Sequence, residues 1–402
     1  MNMRMNRRRL NIGAYFLQEY ACTDRHVREL RECGVDFIVG MQNNPGHLDL
    51  LHKYNVGAVL GGVVPGWWGG DGSSAGTMAA ERPLSVYDRA AAEFSDHPAV
   101  WGIDAGDEPS AEDFPHYGKI VRRIDEAFPN QFAYANLYPC YGSVAWSSEQ
   151  QMLAELGAAD YPEYIRRYCE CVQTDYICFD FYVYSSTVAR MYESLEAVSA
   201  ACRRTGRSLW TVLQVNSHVP ETFQSENRLR FQAFTAMAFG AENIIWACYT
   251  AGWWHNQVLD EHGEKTEQYN KLKKVNSEIR EIADVYMRYR CTDTAFLGFA
   301  ERSADLSRTQ LRSADVLNFG AFRGLHSDRP LAAGMMTARE GTGSALMLCA
   351  AGDPMDKAPG VCTVSFRAES ARLIGAGELV QTAPGEYRLT LPDNAGALIT
   401  AE

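Results

Sequence analysis

Short apolar runs alternate with polar loops and amphipathic stretches along the first two thirds of the chain. The apolar runs have the length of strands, and the stretches between them repeat their apolar positions at helical spacing. This alternation is typical of βα units around a parallel sheet. Eight such runs occur, at residues 10–16, 35–40, 56–63, 100–105, 131–136, 176–181, 209–215 and 243–249.

Helices are predicted between the runs at 24–32, 86–94, 114–127, 161–171, 188–203 and 226–239, with Asp24 and Ser85 as N-caps of the first two. Eight parallel strands joined by helices close into a (β/α)8 TIM barrel of about 250 residues. The competing architecture, an open doubly wound sheet, usually has a glycine-rich phosphate turn after its first strand. The turn here, NIGAYFLQEY, lacks that motif, and no P-loop motif occurs elsewhere. The barrel is therefore the predicted α/β fold.

The character of the chain changes near residue 290. A charged stretch at 265–289, with apolar residues near a 3.6-residue period, predicts a helix that closes the barrel. Strand-like runs then follow at 295–299, 345–349, 361–366, 371–374 and 387–391, separated by Gly, Pro, Asp and Asn. We predict a catalytic barrel over 1–290 and a small all-β, sandwich-like domain over 291–402. That domain should pack against the barrel, with a ligand role or an oligomer interface as alternatives.

Composition narrows the classes of function. Of the 402 residues, 46% are hydrophobic and 22% are charged, as in an ordinary globular protein. The net charge of −12 disfavours nucleic acid and anionic membrane surfaces as partners. Eleven scattered cysteines, an odd number, indicate a reducing compartment, and no signal peptide or membrane span follows the basic run at 7–9. We expect a cytoplasmic protein without metal or organic cofactor; a homo-oligomer remains possible.

The fourth run carries the strongest chemical signal. It reads WGIDAGDEPS and places Asp104, Asp107 and Glu108 at a strand end, which is where TIM barrels hold their reacting groups. Mutual repulsion should raise at least one carboxyl pKa. Glu108 is then the candidate general acid, with Asp107 as its ionised partner. In the alternative interpretation, DEPS only begins the next helix, its acids favoured by the helix dipole.

Polar and aromatic side chains follow other runs. In DYICFDFYVYSS, period-two alternation puts Asp180, Tyr182 and Tyr184 on one side of a strand, although an interior Asp held by backbone donors is the alternative. Aromatic faces beside amides, phenols and carboxylates suit carbohydrate, although tryptophan pairs also occur in cores. The remaining side chains at predicted strand ends are Asn136, Tyr138, Tyr141, Gln214, Asn216, His218, Trp253, Trp254, Trp67 and Trp68.

These motifs make the chain resemble (β/α)8 glycoside hydrolases, in particular the β-galactosidase-like branch of clan A. The resemblance rests on GDEPS, FDFYVY, LWTVLQV, the tryptophans after the eighth run and the stretch GEKTEQYNKLKKVNSEI. It implies Glu108 as acid/base and a Glu nucleophile at the end of the seventh strand. The chain instead has Gln214 near that position, and Asp107 where the family has Asn. An amide cannot form a glycosyl ester.

Three mechanisms could replace the missing nucleophile. The Asp107-Glu108 pair also resembles that of substrate-assisted β-N-acetylhexosaminidases, in which the 2-acetamido group of the sugar attacks; Tyr182 and Tyr184 would contact its carbonyl. Alternatively, Asp180 serves as base or displaced nucleophile. In the third, an acid from the loop after the seventh strand, Glu221 or Glu226, reaches the site.

The leading prediction is therefore a glycosidase that cleaves a small oligosaccharide or glycoside, with Glu108 as general acid/base. Gln214 supports the alternative of a non-catalytic carbohydrate-binding protein on the same barrel. A third possibility is proton abstraction next to a carbonyl, which a divalent metal at Asp104, Asp107 or Glu108 would indicate.

Overall fold

The computed structural model describes residues 4–64, 66–144, 146–357 and 360–401. Its eight-stranded parallel sheet has the order β5-β4-β3-β2-β1-β8-β7-β6, and a parallel bridge between Leu137 and Phe179 joins β5 to β6. The sheet thus forms the predicted barrel. Its strands are β1 (Asn11–Tyr15), β2 (Phe37–Met41), β3 (Gly57–Leu60), β4 (Val100–Asp107), β5 (Phe132–Asn136), β6 (Tyr176–Phe181), β7 (Ser208–Gln214) and β8 (Ala241–Ala247).

Helices connect the strands and cover the barrel. They are α1 (Asp24–Glu32), α2 (Pro45–Lys53), α3 (Met78–Glu81), α4 (Ser85–Glu93), α5 (Phe114–Ala127), α6 (Glu149–Leu156), α7 (Tyr161–Cys171), α8 (Val188–Thr205), α9 (Glu226–Ala238) and α10 (Glu267–Tyr286). Three predicted helices, α1, α5 and α7, have the predicted bounds. The two predicted N-caps are wrong by one residue: Thr23 caps α1 by accepting from the His26 amide, and Leu84 precedes α4 without a side-chain cap.

Two packed sheets follow the barrel, in agreement with the predicted all-β region. A six-stranded sheet has the order β10-β9-β13-β14-β19-β16, and a five-stranded one the order β11-β12-β15-β18-β17. Buried side chains such as Leu348, Val364 and Leu389 fill the space between them. The strands are β9 (Tyr289–Leu297), β10 (Ser313–Ala314), β11 (Leu317–Phe319), β12 (Phe322–Ser327), β13 (Leu331–Ala338), β14 (Ser344–Ala350), β15 (Val361–Arg367), β16 (Arg372–Gly375), β17 (Glu378–Ala383), β18 (Glu386–Pro392) and β19 (Gly396–Ala401).

The six-stranded sheet lies directly on α9 and α10, and one hydrophobic core runs through this contact, from Phe234 and Ile282 to Met347. The approach is close enough to require glycine, because a Cβ at Gly334 would lie 2.3 Å from the carbonyl oxygen of Ala238. No described helix has the length and apolar character needed to cross a lipid bilayer.

Large side chains fill the barrel interior below its mouth. Phe37, Phe132, Trp210 and Ile245 are buried there in a third apolar cluster. The barrel is therefore a packed core with room for a ligand only beyond the C-terminal ends of its strands.

Candidate active site

A cavity of about 430 Å³ opens at those strand ends. Its volume falls within the range of small-molecule sites. Strands β4, β5 and β6 contribute polar residues to one side, and aromatic residues follow β1 and β8 on the other. The lining consists of Tyr15, Phe16, Trp68, Asp107, Glu108, Asn136, Tyr141, Ser143, Val144, Trp146, Asp180, Tyr182, Ser185, Trp253 and Trp254.

Glu108 has an unusual backbone conformation, and its side chain is hydrogen-bonded to the indole of Trp68. It follows the last residue of β4 with φ +50°, in the left-handed region that side chains rarely adopt. Two other lining residues share this conformation, Phe16 (φ 36°) and Trp254 (φ 62°). The Trp68 Nε1 donates to Glu108 Oε2 at 2.5 Å. Such strain costs roughly 1–3 kcal/mol per residue and gathers at functional sites.

The three carboxyl groups of the cavity form one connected network. The Asn136 amide, at the end of β5, donates to Asp107 Oδ1 at 3.0 Å and to Asp180 Oδ1 at 2.9 Å. The Glu108 and Asp180 carboxyl groups also lie close enough for each to shift the pKa of the other.

Burial and mutual repulsion keep these carboxyl groups protonated at a pH well above that at which carboxyl groups usually ionise. Burial, reinforced by the charges of Asp180 and Asp107, raises the pKa of Glu108 well above its ordinary value. Burial also raises the pKa of Asp107 to about 8 and that of Asp180 to about 7, although the Asn136 amide opposes both shifts. No Lys, Arg or His is found among the cavity residues that the structure describes. The site thus suits a neutral ligand and can supply a proton near neutral pH.

Aromatic rings form the other side of the cavity. The Trp253 ring makes edge contacts with Tyr15 and Phe16, at centroid distances of 5.4 and 5.8 Å. Trp254 meets Tyr182 edge to face at 4.9 Å. The Trp253 Nε1 is buried and has no hydrogen-bond partner among the described residues. An indole N–H left without a partner at a cavity wall is available to a ligand oxygen.

Three predicted binding residues lie outside this lining, namely Tyr138, Tyr184 and Gln214. Tyr138 is buried, and its hydroxyl donates to the Gly70 carbonyl at 2.9 Å, which holds the loop that carries Trp68. The expected alignment of Tyr184 with Asp180 and Tyr182 is wrong, because β6 ends at Phe181 and a 3-10 turn over Val183–Ser185 interrupts the alternation.

Gln214 supports this turn instead of facing the cavity. Its Oε1 accepts from the Tyr184 backbone N–H at 3.1 Å, and its Nε2 donates to Ser185 Oγ at 3.3 Å. It therefore acts on the site only through Ser185, which does line the cavity.

The other acids considered from sequence are not brought to the site. Glu226 forms ion pairs with Arg230 and Lys274 at the start of α9, and Glu221 is exposed outside the cavity. Asp104 accepts from the Gly106 backbone N–H at 2.9 Å and is absent from the lining. Among the described residues, no group of three or more His, Cys, Asp or Glu side chains is arranged to hold a metal ion.

Several solved structures are similar to part of this chain. A candidate alpha-L-fucosidase from Bacteroides thetaiotaomicron matches 67% of this chain and 94% of its own, with a TM-score of 0.51 and 12% identity. Xylanase 10B from Thermotoga maritima matches 68% of this chain and 96% of its own (TM-score 0.44, 12% identity). Saccharomyces cerevisiae Gas2p, solved with laminaritetraose and laminaripentaose, matches 66% of this chain and 62% of its own (TM-score 0.44, 12% identity).

The fucosidase comparison shows a common fold. No family model matches the sequence, and no curated protein matches it.

Several lining residues were not predicted from sequence. Tyr15 and Phe16 are the last two residues of the first run, and the strand-end rule could have identified them. Ser143, Val144 and Trp146 lie in an irregular loop between β5 and α6, where no periodic pattern indicates which side chains face the barrel mouth.

Proposed function

We propose that this protein is a glycoside hydrolase in which Glu108 is the general acid/base. The observation that carries the proposal is the buried network of three carboxyl groups at the mouth of a TIM barrel, beside a largely aromatic wall and in a cavity of suitable volume. A protonated carboxyl can donate to a leaving-group oxygen, and aromatic faces can stack on the C–H faces of a sugar.

The position of the acids favours substrate assistance over an enzyme nucleophile. The Glu108 and Asp180 carboxyl groups are near enough to shift each other's pKa, and β7 ends at Gln214, which cannot serve as a carboxylate nucleophile. The acids come from β4 and β6, and none follows β1 or β8 in the described lining. We therefore propose a 2-acetamido sugar as substrate, with the nucleophile supplied by the sugar itself.

The reaction then runs in two balanced steps. The acetamido carbonyl oxygen attacks C1, the C1–O bond to the leaving group breaks, and the Glu108 proton passes to that oxygen. Asp180, which has the lower pKa of the two aspartates at about 7, accepts from the acetamido N–H in its ionised form. Together with the Glu108 carboxylate formed in this step, it balances the charge of the oxazolinium intermediate. Water next attacks C1, the bond between C1 and the acetamido oxygen breaks so that the 2-acetamido group re-forms, and a proton of the water passes to the Glu108 carboxylate, which restores the enzyme.

The Glu108→Gln substitution tests the acid. It should lower kcat/KM for glycosides with poor leaving groups by roughly 10²–10⁴, because the leaving oxygen then departs unprotonated. A 2,4-dinitrophenyl glycoside, which needs no proton, should lose far less in its first step. Glu112→Gln is the matched control, since Glu112 is exposed and outside the cavity. Equal rates for Glu108→Gln and Glu112→Gln on the poor leaving group would exclude Glu108 as the acid.

Substrate assistance has its own test. A thiazoline of N-acetylglucosamine, which mimics the cyclic intermediate, should inhibit competitively, and 4-nitrophenyl N-acetylglucosaminide should be cleaved far faster than the corresponding glucoside. A 2-fluoro glycoside should leave the protein unlabelled by mass spectrometry. A stable glycosyl ester on Asp107 or Asp180 would contradict the mechanism and indicate an enzyme nucleophile.

The second candidate is a sugar-binding protein without turnover. It is favoured by Gln214, which stands near the position of the nucleophile in the family. The Gln214 side chain is hydrogen-bonded to the Tyr184 backbone and to Ser185. Calorimetric binding of an unmodified oligosaccharide that remains intact during long incubation would favour it.

We also propose that the protein works in the cytoplasm and that its domains divide near residue 290. All eleven cysteines are free, which fits a reducing compartment. The end of α10 at Tyr286 and the start of β9 at Tyr289 support the boundary.

A further inference from the structure

A second cavity adjoins the one that holds the carboxyl groups. Its volume is about 620 Å³, and the two cavities share Trp146 and Ser185 as lining residues. One part of its wall comes from residues 185–190, which lead into α8. The other part comes from the segment 304–308, which follows β9 beyond the barrel. The second cavity therefore borders the proposed reacting site and is completed by the C-terminal region.

Trp146 lies between the two cavities with an unusually open ring. Its exposed fraction is 63%, and its ring contacts that of His218 at a centroid distance of 5.1 Å. A large apolar ring that remains exposed at a cavity margin is suited to stacking against a ligand. This position would let it contact a sugar joined to the one beside Glu108.

The polar groups of the second cavity fit hydroxyls better than a charged ligand. Asp305 is half-buried, and no donor to its carboxylate is found in the described ranges; burial raises its pKa. The Ser186 Oγ is buried and has no hydrogen-bond partner among the described residues. The Arg308 guanidinium already donates to the Glu193 carboxylate, with Nη2 to Oε1 at 3.2 Å. Arg190, the other arginine of this lining, is likewise not free, so the groups without partners include a carboxylate and a hydroxyl, which pair with ligand hydroxyls.

We propose that this second cavity binds a further, neutral sugar unit of the substrate, stacked near Trp146 and hydrogen-bonded by Asp305 and Ser186. The inference rests on the proposed function, because it concerns the length of that substrate. It also gives the region after residue 290 a direct part in recognition.

The experiment compares Asp305→Ala with Glu301→Ala, which removes an exposed carboxylate outside both cavities. Both changes are introduced into Glu108→Gln protein, so that bound sugar is not consumed. Calorimetry measures the affinity of each protein for N-acetylglucosamine and triacetylchitotriose, and for glucose and cellotriose. Ser186→Ala, a smaller change within the same wall, provides a second variant.

In the Glu301→Ala control, one or both of the two trisaccharides should bind at least about tenfold more tightly than the monosaccharide from which it is built. Asp305→Ala should reduce that gain by about fivefold to tenfold, as expected for the loss of one hydrogen bond. Ser186→Ala should reduce it by a smaller factor. An equal gain in Asp305→Ala and Glu301→Ala, or no gain for either trisaccharide, would overturn the inference. A reduced gain in Asp305→Ala, together with a finding that the protein with Glu108 unchanged hydrolyses no glycoside, would support the second site and reject the proposed enzymatic function.

Discussion

At the scale of single residues, Asp180 should set the pH range in which Glu108 is an acid. Burial raises the pKa of Glu108 most, and the charge of Asp180 adds to that shift. Asp180→Asn removes the charge and leaves an oxygen for the Asn136 amide. The pKa of Glu108 should therefore fall, and the alkaline limb of the kcat/KM profile should move to lower pH, by roughly 1 unit or more.

The same profile measured for Asp175→Asn provides the control. Asp175 precedes β6, its side chain is 74% exposed, and it pairs with Arg7 outside the cavity. The alkaline limb of Asp175→Asn should match that of the unchanged protein. If Asp180→Asn also leaves the limb in place, then Asp180 does not control the protonation of Glu108.

At the scale of elements, the ends of strands could be predicted from the sequence where an apolar run is followed closely by an acidic residue. The fourth run led to Asp107 and Glu108, and the sixth to Asp180, and all three line the cavity. Tyr184 was misplaced because strand alternation holds only while the backbone is extended, and here a 3-10 turn follows Phe181. Trp146 could not be found, because loop side chains take their direction from tertiary contacts.

The strands that were missed after residue 290 have a similar explanation. Strand β13 reads LAAGMMTA and is buried along most of its length between α9 and the second sheet, so it shows no alternation of apolar and polar residues. Strand β17 has the opposite character: it lies at a sheet edge and is mostly exposed, so it carries no apolar pattern. Periodicity identifies strands that have one buried and one exposed face. Strand β13 is buried on both faces and β17 is mostly exposed on both, so neither shows the pattern.

At the scale of the whole molecule, the buried carboxyl network should make folding stability fall as pH rises. Asp107 has a pKa of about 8 in the folded chain and about 4 when unfolded. Between these values the folded state binds more protons than the unfolded state, so the free energy of unfolding decreases with pH. Asp107→Asn removes this titration while keeping a similar shape. The variant should gain roughly 3–5 kcal/mol over the unchanged protein at pH 8, and the gain should shrink toward zero near pH 4.

Urea unfolding at pH 5, 6.5 and 8 measures this difference, with Glu112→Gln as the control. The net charge of −12 makes general repulsion grow with pH in every variant. Because that contribution is nearly common to all of them, the difference between Asp107→Asn and the control isolates the buried group. The gain in stability should appear together with a loss of activity, because burying ionisable groups lowers the stability of the fold while giving them the pKa values that catalysis needs. An Asp107→Asn protein no more stable than the control at pH 8 would show that Asp107 titrates as an ordinary carboxyl, and burial would then not keep this group of the network protonated at neutral pH.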